Sequence, residues 1–323
     1  MKNIFIFLLI VAFFGKTNSQ NFFPSFGKQR TGTSAFTFLQ IGVSPRGIAM
    51  SDAFSSISDD ASTLFYNPAR AVLHHRNQTM VSHGLWFAGL QHHYSAFIYK
   101  LSENNAVGVS INSLYSDKMV KRTEFLPEGT GESFSFNDFA FGLTYSKKFS
   151  QQFSFGITTR YVSENLAEYK MNNILFDVGI SYDLGNEKSQ FAITYTNFGS
   201  SSKPKGTSNS STQNFEEFLP PSLFAISIAS EILSEEDYNV KSVIQLNHPN
   251  DNSEHFAIGT EFEWQKIFYL RTGFRINYEE QDLPSFGVGL LIPYDDFLGK
   301  LDYGVASYNE LGLTHRISLN VIL

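Results

Sequence analysis

Cysteine is absent from the 323-residue chain. Disulfide bonds, thiol catalysis and a lipid-modified N-terminal cysteine are therefore excluded. Charge is also scarce, because Asp, Glu, Lys and Arg make up 17% of the residues, against roughly 25% in soluble domains. A formal net charge of −7 argues against nucleic acid as a partner, since surfaces that bind nucleic acid are basic.

Long apolar runs are missing after the N-terminal residues. No later segment approaches the roughly 20 apolar residues that a transmembrane helix needs. Aromatic residues nevertheless reach 15% of the chain, with 33 Phe and 15 Tyr but only two Trp. Many apolar residues without apolar runs indicate that apolar and polar positions alternate, which is typical of a membrane-spanning β-barrel.

The N-terminus has the composition of a signal peptide. Lys2 precedes an apolar stretch over residues 4–14, which is too short to span a bilayer, and a polar stretch before Gln20 suits cleavage there. We assign residues 1–19 to this signal peptide and residues 20–37 to a flexible polar lead-in. The protein is therefore predicted to be exported.

Residues 38–76 differ from the rest of the chain and predict a plug inside a barrel. Small residues are frequent, and Met50, Ala53, Phe54 and Ile57 occur at helical spacing. The segment also concentrates charged and turn-forming residues, which are Arg46, Asp52, Asp59, Asp60, Asn67, Pro68 and Arg70. A leader that caps one end of a β-sandwich is the alternative, and the strands distinguish the two.

Residues 77–323 contain fourteen segments of alternating polarity, each about the roughly 9–11 residues of a tilted transmembrane strand. The charged residues of these segments fall opposite the Phe, Leu, Ile and Tyr face. They include Arg160, Asp177, Glu261, Arg271, Arg275, Asp302 and Arg316. Because an Arg on the lipid face costs about 2–4 kcal/mol, the alternation predicts that these side chains point into the barrel.

Loop lengths agree with a barrel. The two longest connections, 116–136 and 199–221, follow the third and seventh segments and therefore lie at the same end. Bacterial barrels carry their long loops at the extracellular end. We predict an all-β, membrane-spanning antiparallel barrel of about 14 strands with a small N-terminal plug, located in a bacterial outer membrane. A porin with a wide water channel would show the same alternation.

Two clusters have the residue types of chemical sites. Asp59 and Asp60 could serve as paired carboxylates in acid–base catalysis, but helix capping by Asp59 and an ion pair with Arg46 or Arg70 explain them more simply. The pair is therefore predicted to be structural, and the protein is predicted not to be an enzyme.

Histidines are concentrated between residues 74 and 93, where five of the eight occur. His83 with His92 or His93 could meet across a hairpin, and three imidazoles can hold zinc. No carboxylate or cysteine lies at a ligand spacing beside them, so lumenal or interfacial histidines are the simpler interpretation. We predict no metal and no cofactor.

Residues 38–50, FLQIGVSPRGIAM, resemble the N-terminal signature of the PorV/PorQ family of outer-membrane proteins. Asp59-Asp60-Ala61 and Tyr66-Asn67-Pro68-Ala69 continue the resemblance, and residues 301–304 and 311–319 are similar to the final hairpin of that family. The chain departs from the family pattern in two places. Ser51 stands where the family usually has Gly, and Arg70 stands where Gly commonly follows Asn-Pro-Ala.

The resemblance implies a fourteen-stranded, FadL-like barrel that acts as a non-catalytic adaptor of the type IX secretion system. Its partners would be cargo C-terminal domains or other proteins of the secretion machinery, with membrane lipid and lipopolysaccharide around the barrel. Apolar residues of the long loops would bind these partners, namely Phe125, Leu126, Phe134, Phe215 and Phe218. The alternative is a FadL-like channel for hydrophobic small molecules, gated by the plug; a passive pore is a third possibility.

Overall fold

The computed structural model describes residues 32–185, 188–206, 215–278, 281, 283–295 and 297–323. The predicted signal peptide and the first part of the predicted lead-in lie outside the described residues.

Fourteen antiparallel strands form the wall. They are β1 Gln78–Leu85, β2 Gln91–Ser102, β3 Asn105–Tyr115, β4 Phe136–Lys148, β5 Phe153–Leu166, β6 Tyr169–Asp183, β7 Ser189–Phe198, β8 Leu223–Ser234, β9 Tyr238–Pro249, β10 His255–Trp264, β11 Phe268–Ile276, β12 Ser285–Tyr294, β13 Phe297–Ser307 and β14 Leu313–Ile322. Each strand pairs with its neighbour in the chain, and β1 pairs with β14, so the sheet closes on itself. The predicted 14-strand barrel is confirmed.

Alternation along the strands separates a polar interior from an apolar exterior. In β14, Leu313, Ile317 and Leu319 are 57%, 47% and 44% exposed, whereas the side chains of Thr314 and Arg316 are buried. On every strand the outer face presents at least one exposed Leu, Ile, Val, Phe or Tyr, as a surface in contact with hydrocarbon requires. Among the described helices, none is both long enough and apolar enough to cross a membrane.

The two ends of the barrel differ in loop length. Connections 116–135 and 199–222, after β3 and β7, are the longest and lie at one end. We call it the long-loop end; the opposite, short-turn end carries connections such as 149–152 and 265–267. Two-residue strands Met119–Val120 and Ser133–Phe134 pair within the first long loop.

The plug consists of short helices that bridge opposite walls. Two are α-helical, α1 Pro45–Ala49 and α2 Thr63–Tyr66, and one is 3₁₀, Pro68–Leu73; another 3₁₀ helix, Thr37–Gln40, precedes the plug. Helix α1 packs against β11–β14, whereas Pro68–Leu73 packs against β3–β6. The plug therefore fills the lumen from wall to wall.

The helix suggested by the spacing of Met50, Ala53, Phe54 and Ile57 does not form. Helix α1 ends at Ala49, and Asp52 follows with a φ of 59°, which interrupts any helix there. The four apolar side chains are nevertheless buried, because the barrel wall surrounds this segment on all sides. A fully buried irregular segment can therefore place apolar residues at the same spacing as the buried face of a helix.

Glycines in the wall make room for the plug. A Cβ atom on Gly273 of β11 would lie 2.3 Å from the carbonyl carbon of Met50, and one on Gly156 of β5 would lie 2.3 Å from that of Pro68. Both contacts are with plug backbone, which no rotamer change can relieve. These two glycines therefore set how closely the plug approaches the wall on each side.

We expect Gly273→Ala to destabilise the plugged barrel by about 1–3 kcal/mol, because the new methyl group overpacks against the plug backbone. The free energy of unfolding in detergent, measured by urea titration, tests this. Gly299→Ala in β13 is the matched control, since its Cβ would meet nothing closer than the Ile292 carbonyl oxygen at 3.7 Å. Equal stability of the two variants would contradict close packing of the plug backbone against Gly273.

Candidate functional site

A row of alternating charges joins the plug to the wall. Arg46 of α1 donates from Nε and Nη2 to Glu261 of β10, at 2.7 Å each. Arg271 of β11 donates to Glu261 at 2.6 Å and to Asp302 of β13 at 2.6 Å. All four side chains are buried, so each charge is compensated inside the lumen. Arg46 also pairs with Asp59 of the plug.

Strand register places these wall charges in one row. Glu261 and Arg271 are direct cross-strand partners. Asp302 lies opposite Gly289, where a Cβ would lie 2.3 Å from the Asp302 carboxylate and 2.7 Å from the Arg271 guanidinium. The missing side chain at Gly289 therefore lets the arginine reach Asp302 across a whole strand.

A second ion pair fixes the turn after α1. Arg275 of β11 donates to Asp52 Oδ2 at 2.5 Å and to the Ser51 carbonyl oxygen at 3.1 Å. Tyr66 donates its hydroxyl to Asp52 Oδ1 at 2.8 Å. Ser51 has a φ of 54°, a conformation that favours glycine. The contact with Arg275 helps to hold this serine in a conformation that glycine adopts more readily.

A third pair lies in the wall beside the plug. Arg160 donates to Asp177 Oδ2 at 2.6 Å and to Asn197 Oδ1 at 2.7 Å, and the Asn197 backbone N–H donates to Asp177 Oδ1 at 2.6 Å. The register of β6 on β7 shifts between Phe176 and Val178 at this point. The Asp177 carboxylate therefore takes the place of a backbone acceptor where the strands are irregular.

Two buried arginines have only neutral hydrogen-bond partners among the described residues. Arg316 donates to Ser82 and His92, and Arg70 donates to the Ser58 carbonyl oxygen at 2.7 Å and to Gln190 at 3.0 Å. All seven lumenal charges named from the sequence thus lie inside the barrel, and Arg46 and Asp52 of the plug join two of their ion pairs.

The remaining plug residues named from the sequence have structural contacts. Asn67 accepts from the Ala69 N–H at 3.0 Å and donates to the Ile180 carbonyl oxygen at 3.2 Å, which starts the helix at Pro68 and ties it to β6. The expected cap on Asp59 is wrong. Asp60, not Asp59, accepts from the Ser62 N–H at 2.9 Å before α2, because Arg46 holds the Asp59 carboxylate.

The histidines divide between the two faces of the wall. His83 and His93 are cross-strand partners with ring centroids 4.7 Å apart, whereas His92 points inward to Asn112 at 2.5 Å. Within the described part of the chain, no group of three or more potential metal ligands comes together.

The apolar loop residues are unequally exposed. Phe125 is 91% exposed and Leu126 is 52% exposed in loop 116–135. Phe134 is half-buried, Phe215 packs edge-on against Tyr169, and Phe218 packs against an apolar cluster inside the mouth. Only the first two project from the barrel.

That apolar cluster was not foreseen from the sequence. Residues 34–41, which we call the mouth strap, cross the long-loop end and insert Phe36 and Phe38 against an inner wall of four apolar side chains. These are Leu114, Ala140, Val162 and Leu175. Residues 34–37, assigned from the sequence to the flexible lead-in, are therefore packed against the barrel.

Three contacts fasten the strap to different parts of the rim. The Ala35 N–H donates to the Leu219 carbonyl oxygen at 2.9 Å, and the Phe36 N–H donates to Glu164 at 2.9 Å. The side chain of Gln40 donates to both carboxylate oxygens of Asp251, at 3.0 and 3.1 Å.

A cavity of about 240 Å³ lies between the strap, the plug and the walls of β5 and β7–β11. Its lining combines carboxamides and hydroxyls with a few aromatic and aliphatic side chains. The lining includes Leu39, Gln40, Asp52, Phe65, Tyr66, Arg160, Leu223, Gln245, Asp251 and Arg275. Gln40 and Asp251 were missed by sequence analysis, because a carboxamide and a loop carboxylate have no diagnostic spacing.

No protein-family model and no curated protein matches the sequence. The resemblance to the PorV/PorQ family therefore stays a prediction.

Solved structures match the fold over most of the chain. The toluene transporter TbuX of Ralstonia pickettii has a TM-score of 0.55 and 12% identity, covering 87% of this chain and 97% of its own. A Pseudomonas aeruginosa FadL homologue has a TM-score of 0.55 and 9% identity, with 86% and 97% covered. The monoaromatic hydrocarbon channel CymD has a TM-score of 0.56 and 12% identity, with 89% and 97% covered. The chain thus shares the 14-strand fold of FadL-like transport barrels.

Proposed function

We propose that the protein is a bacterial outer-membrane channel that carries hydrophobic small molecules past its plug. One observation carries the proposal. The inner wall at the long-loop end carries the apolar side chains Leu114, Ala140, Val162 and Leu175, which form one cluster with the Phe36 and Phe38 rings of the strap. TbuX and CymD, which share the fold, are described as a toluene transporter and a monoaromatic hydrocarbon channel.

The filled lumen argues against a passive pore. A porin has a polar, water-filled interior, whereas here the plug packs against both sides of the wall. Ion pairs from Arg46 to Glu261 and from Arg275 to Asp52 connect plug and wall. A substrate must therefore displace part of the plug to pass.

The apolar mouth wall suits capture of a hydrophobic solute. Phe36 and Phe38 of the strap are buried against it, so the wall already accepts aromatic rings. Burial of apolar surface is worth about 25 cal/mol per Å², and an aromatic solute could replace these rings with little loss of contact.

We expect expression of the full chain in a bacterial host that lacks its own channels of this fold to raise the initial rate of radiolabelled toluene uptake several-fold. Sucrose uptake should stay at the level of the empty vector, because the plug blocks polar solutes. Unchanged toluene uptake, or an equal rise for sucrose, would contradict the proposed channel.

Arg46→Met should loosen the plug, since removing one partner of a buried ion pair costs about 3–5 kcal/mol. We expect a higher ion conductance in planar bilayers than for the wild-type channel. Lys121→Met removes one partner of the pair with Glu132, whose side chains are 58% and 69% exposed. This control should leave the conductance unchanged. Wild-type conductance of the Arg46→Met variant would show that the pair between Arg46 and Glu261 does not hold the plug.

A secretion adaptor of the PorV/PorQ type is a second candidate, supported by one feature. Phe125 and Leu126 project into solvent at the long-loop end, and exposed apolar residues at the tip of a loop suit binding of a protein partner. A partner such as a cargo C-terminal domain would cover them.

Under the adaptor hypothesis, Phe125→Glu should abolish co-purification of a protein partner from detergent-solubilised membranes of the source cells. Leu311→Glu, in the loop before β14, is the matched control because Leu311 is also exposed, at 67%. Mass spectrometry of the co-purified material measures the loss. A partner retained equally by both variants, or no partner with the wild-type chain, would exclude binding through Phe125.

A further inference from the structure

The cavity between the strap and the plug is lined by one carboxylate, Asp251, that has no ion-pair partner among the described residues. Four acidic or basic side chains other than histidine line it: Asp52, Asp251, Arg160 and Arg275. Arg160 pairs with Asp177, and Arg275 pairs with Asp52. Among the described residues, no Lys, Arg or His forms an ion pair with Asp251.

Asp251 is also short of hydrogen bonds for a buried carboxylate. It is 7% exposed, and its described donor is the single side-chain nitrogen of Gln40. An ionised carboxylate has about four acceptor positions, and burying one without a partner is costly. Asp251 can therefore accept further hydrogen bonds from a molecule in the cavity.

One part of the lining suits a small apolar group. Phe65 and Tyr66 of the plug, with Leu39 of the strap and Leu223 of β8, contribute aromatic and aliphatic surface. The volume of about 240 Å³ lies just below the roughly 300–1,000 Å³ of drug-sized ligand sites. A single aromatic ring with a short chain is therefore the size that fits.

We propose that this cavity binds a small aromatic amine, with its ammonium group on Asp251 and its ring on the apolar part of the lining. An ammonium group supplies the positive charge and three hydrogen-bond donors. An alcohol supplies one donor and no charge, a carboxylate would be repelled, and a hydrocarbon supplies neither. The inference rests on the proposed channel and makes hydrophobic molecules with a cationic head the preferred ligands of this cavity.

The test is equilibrium dialysis of the detergent-solubilised full chain at pH 7 against four radiolabelled probes. These are 2-phenylethylamine, 2-phenylethanol, 3-phenylpropionate and ethylbenzene. We expect the amine to bind about tenfold or more tightly than the alcohol, since hydrogen bonds to charged groups are the strong ones. The carboxylate should bind least.

Asp251→Asn should reduce amine affinity to that of the alcohol and leave ethylbenzene affinity unchanged. Asp117→Asn, at an exposed site in the first long loop of the same end, removes the same charge without touching the cavity and should keep the preference. Equal binding of amine and alcohol to the wild-type chain, or equal effects of the two variants, would overturn the inference. If Asp251→Asn does not fold, the order of the four probe affinities for the wild-type chain still tests the inference.

The outcome is separable from that of the proposed function. Toluene uptake by cells tests the channel, and it does not depend on Asp251. Toluene uptake by cells combined with equal binding of the amine and the alcohol would support the channel and contradict only the amine site.

Discussion

The buried pair between Arg46 and Glu261 is the interaction on which the plugged state depends. It is the link between α1 and the row of charges on β10, β11 and β13. Without Arg46, the buried Glu261 would keep Arg271 as its ion-pair partner but lose its partner on the plug. Because a buried charge that loses a partner is costly, the pair helps to explain how a segment with little regular structure of its own is held in one position.

Close packing between the plug backbone and the wall adds to the ion pairs in holding the plug. Gly156 and Gly273 let plug backbone come closer to the wall than any side chain would allow. These contacts lie on opposite walls, so the plug is fixed at both ends and cannot slide toward either side without losing one set. Arg275 adds a third fixed point, because it binds both the carbonyl oxygen of Ser51 and the carboxylate of Asp52.

Sequence reasoning succeeded where a single energy term dominates. An arginine facing hydrocarbon is so unfavourable that alternation and charge together give the inward face of Arg160, Arg271 and Arg316, and hence the barrel. It failed where several arrangements cost nearly the same. Alternation predicts strands over 152–163 and 173–184, whereas β5 runs to Leu166 and β6 begins at Tyr169. The difference arises because polar residues near a tight turn are equally suited to a loop. The strap and the cavity depend on contacts between distant residues such as Gln40 and Asp251, which no local pattern encodes.

A charged lumen and a hydrophobic substrate are compatible only if the substrate is held apart from most of the charges. The mouth provides such a place, with apolar wall on one side and the cavity on the other. In the proposed channel, passage beyond the mouth requires the Arg46–Glu261 pair to open. If opening the pair costs as much as removing one partner of a buried pair, about 3–5 kcal/mol, the open fraction lies between roughly one in a hundred and one in several thousand. A population of that size keeps the channel closed to ions and nutrients on average, yet it is large enough for a bound substrate to shift toward the open state. In the proposed channel, the strength of this pair therefore determines both how rarely the plug opens without substrate and how much binding energy a substrate must supply to open it.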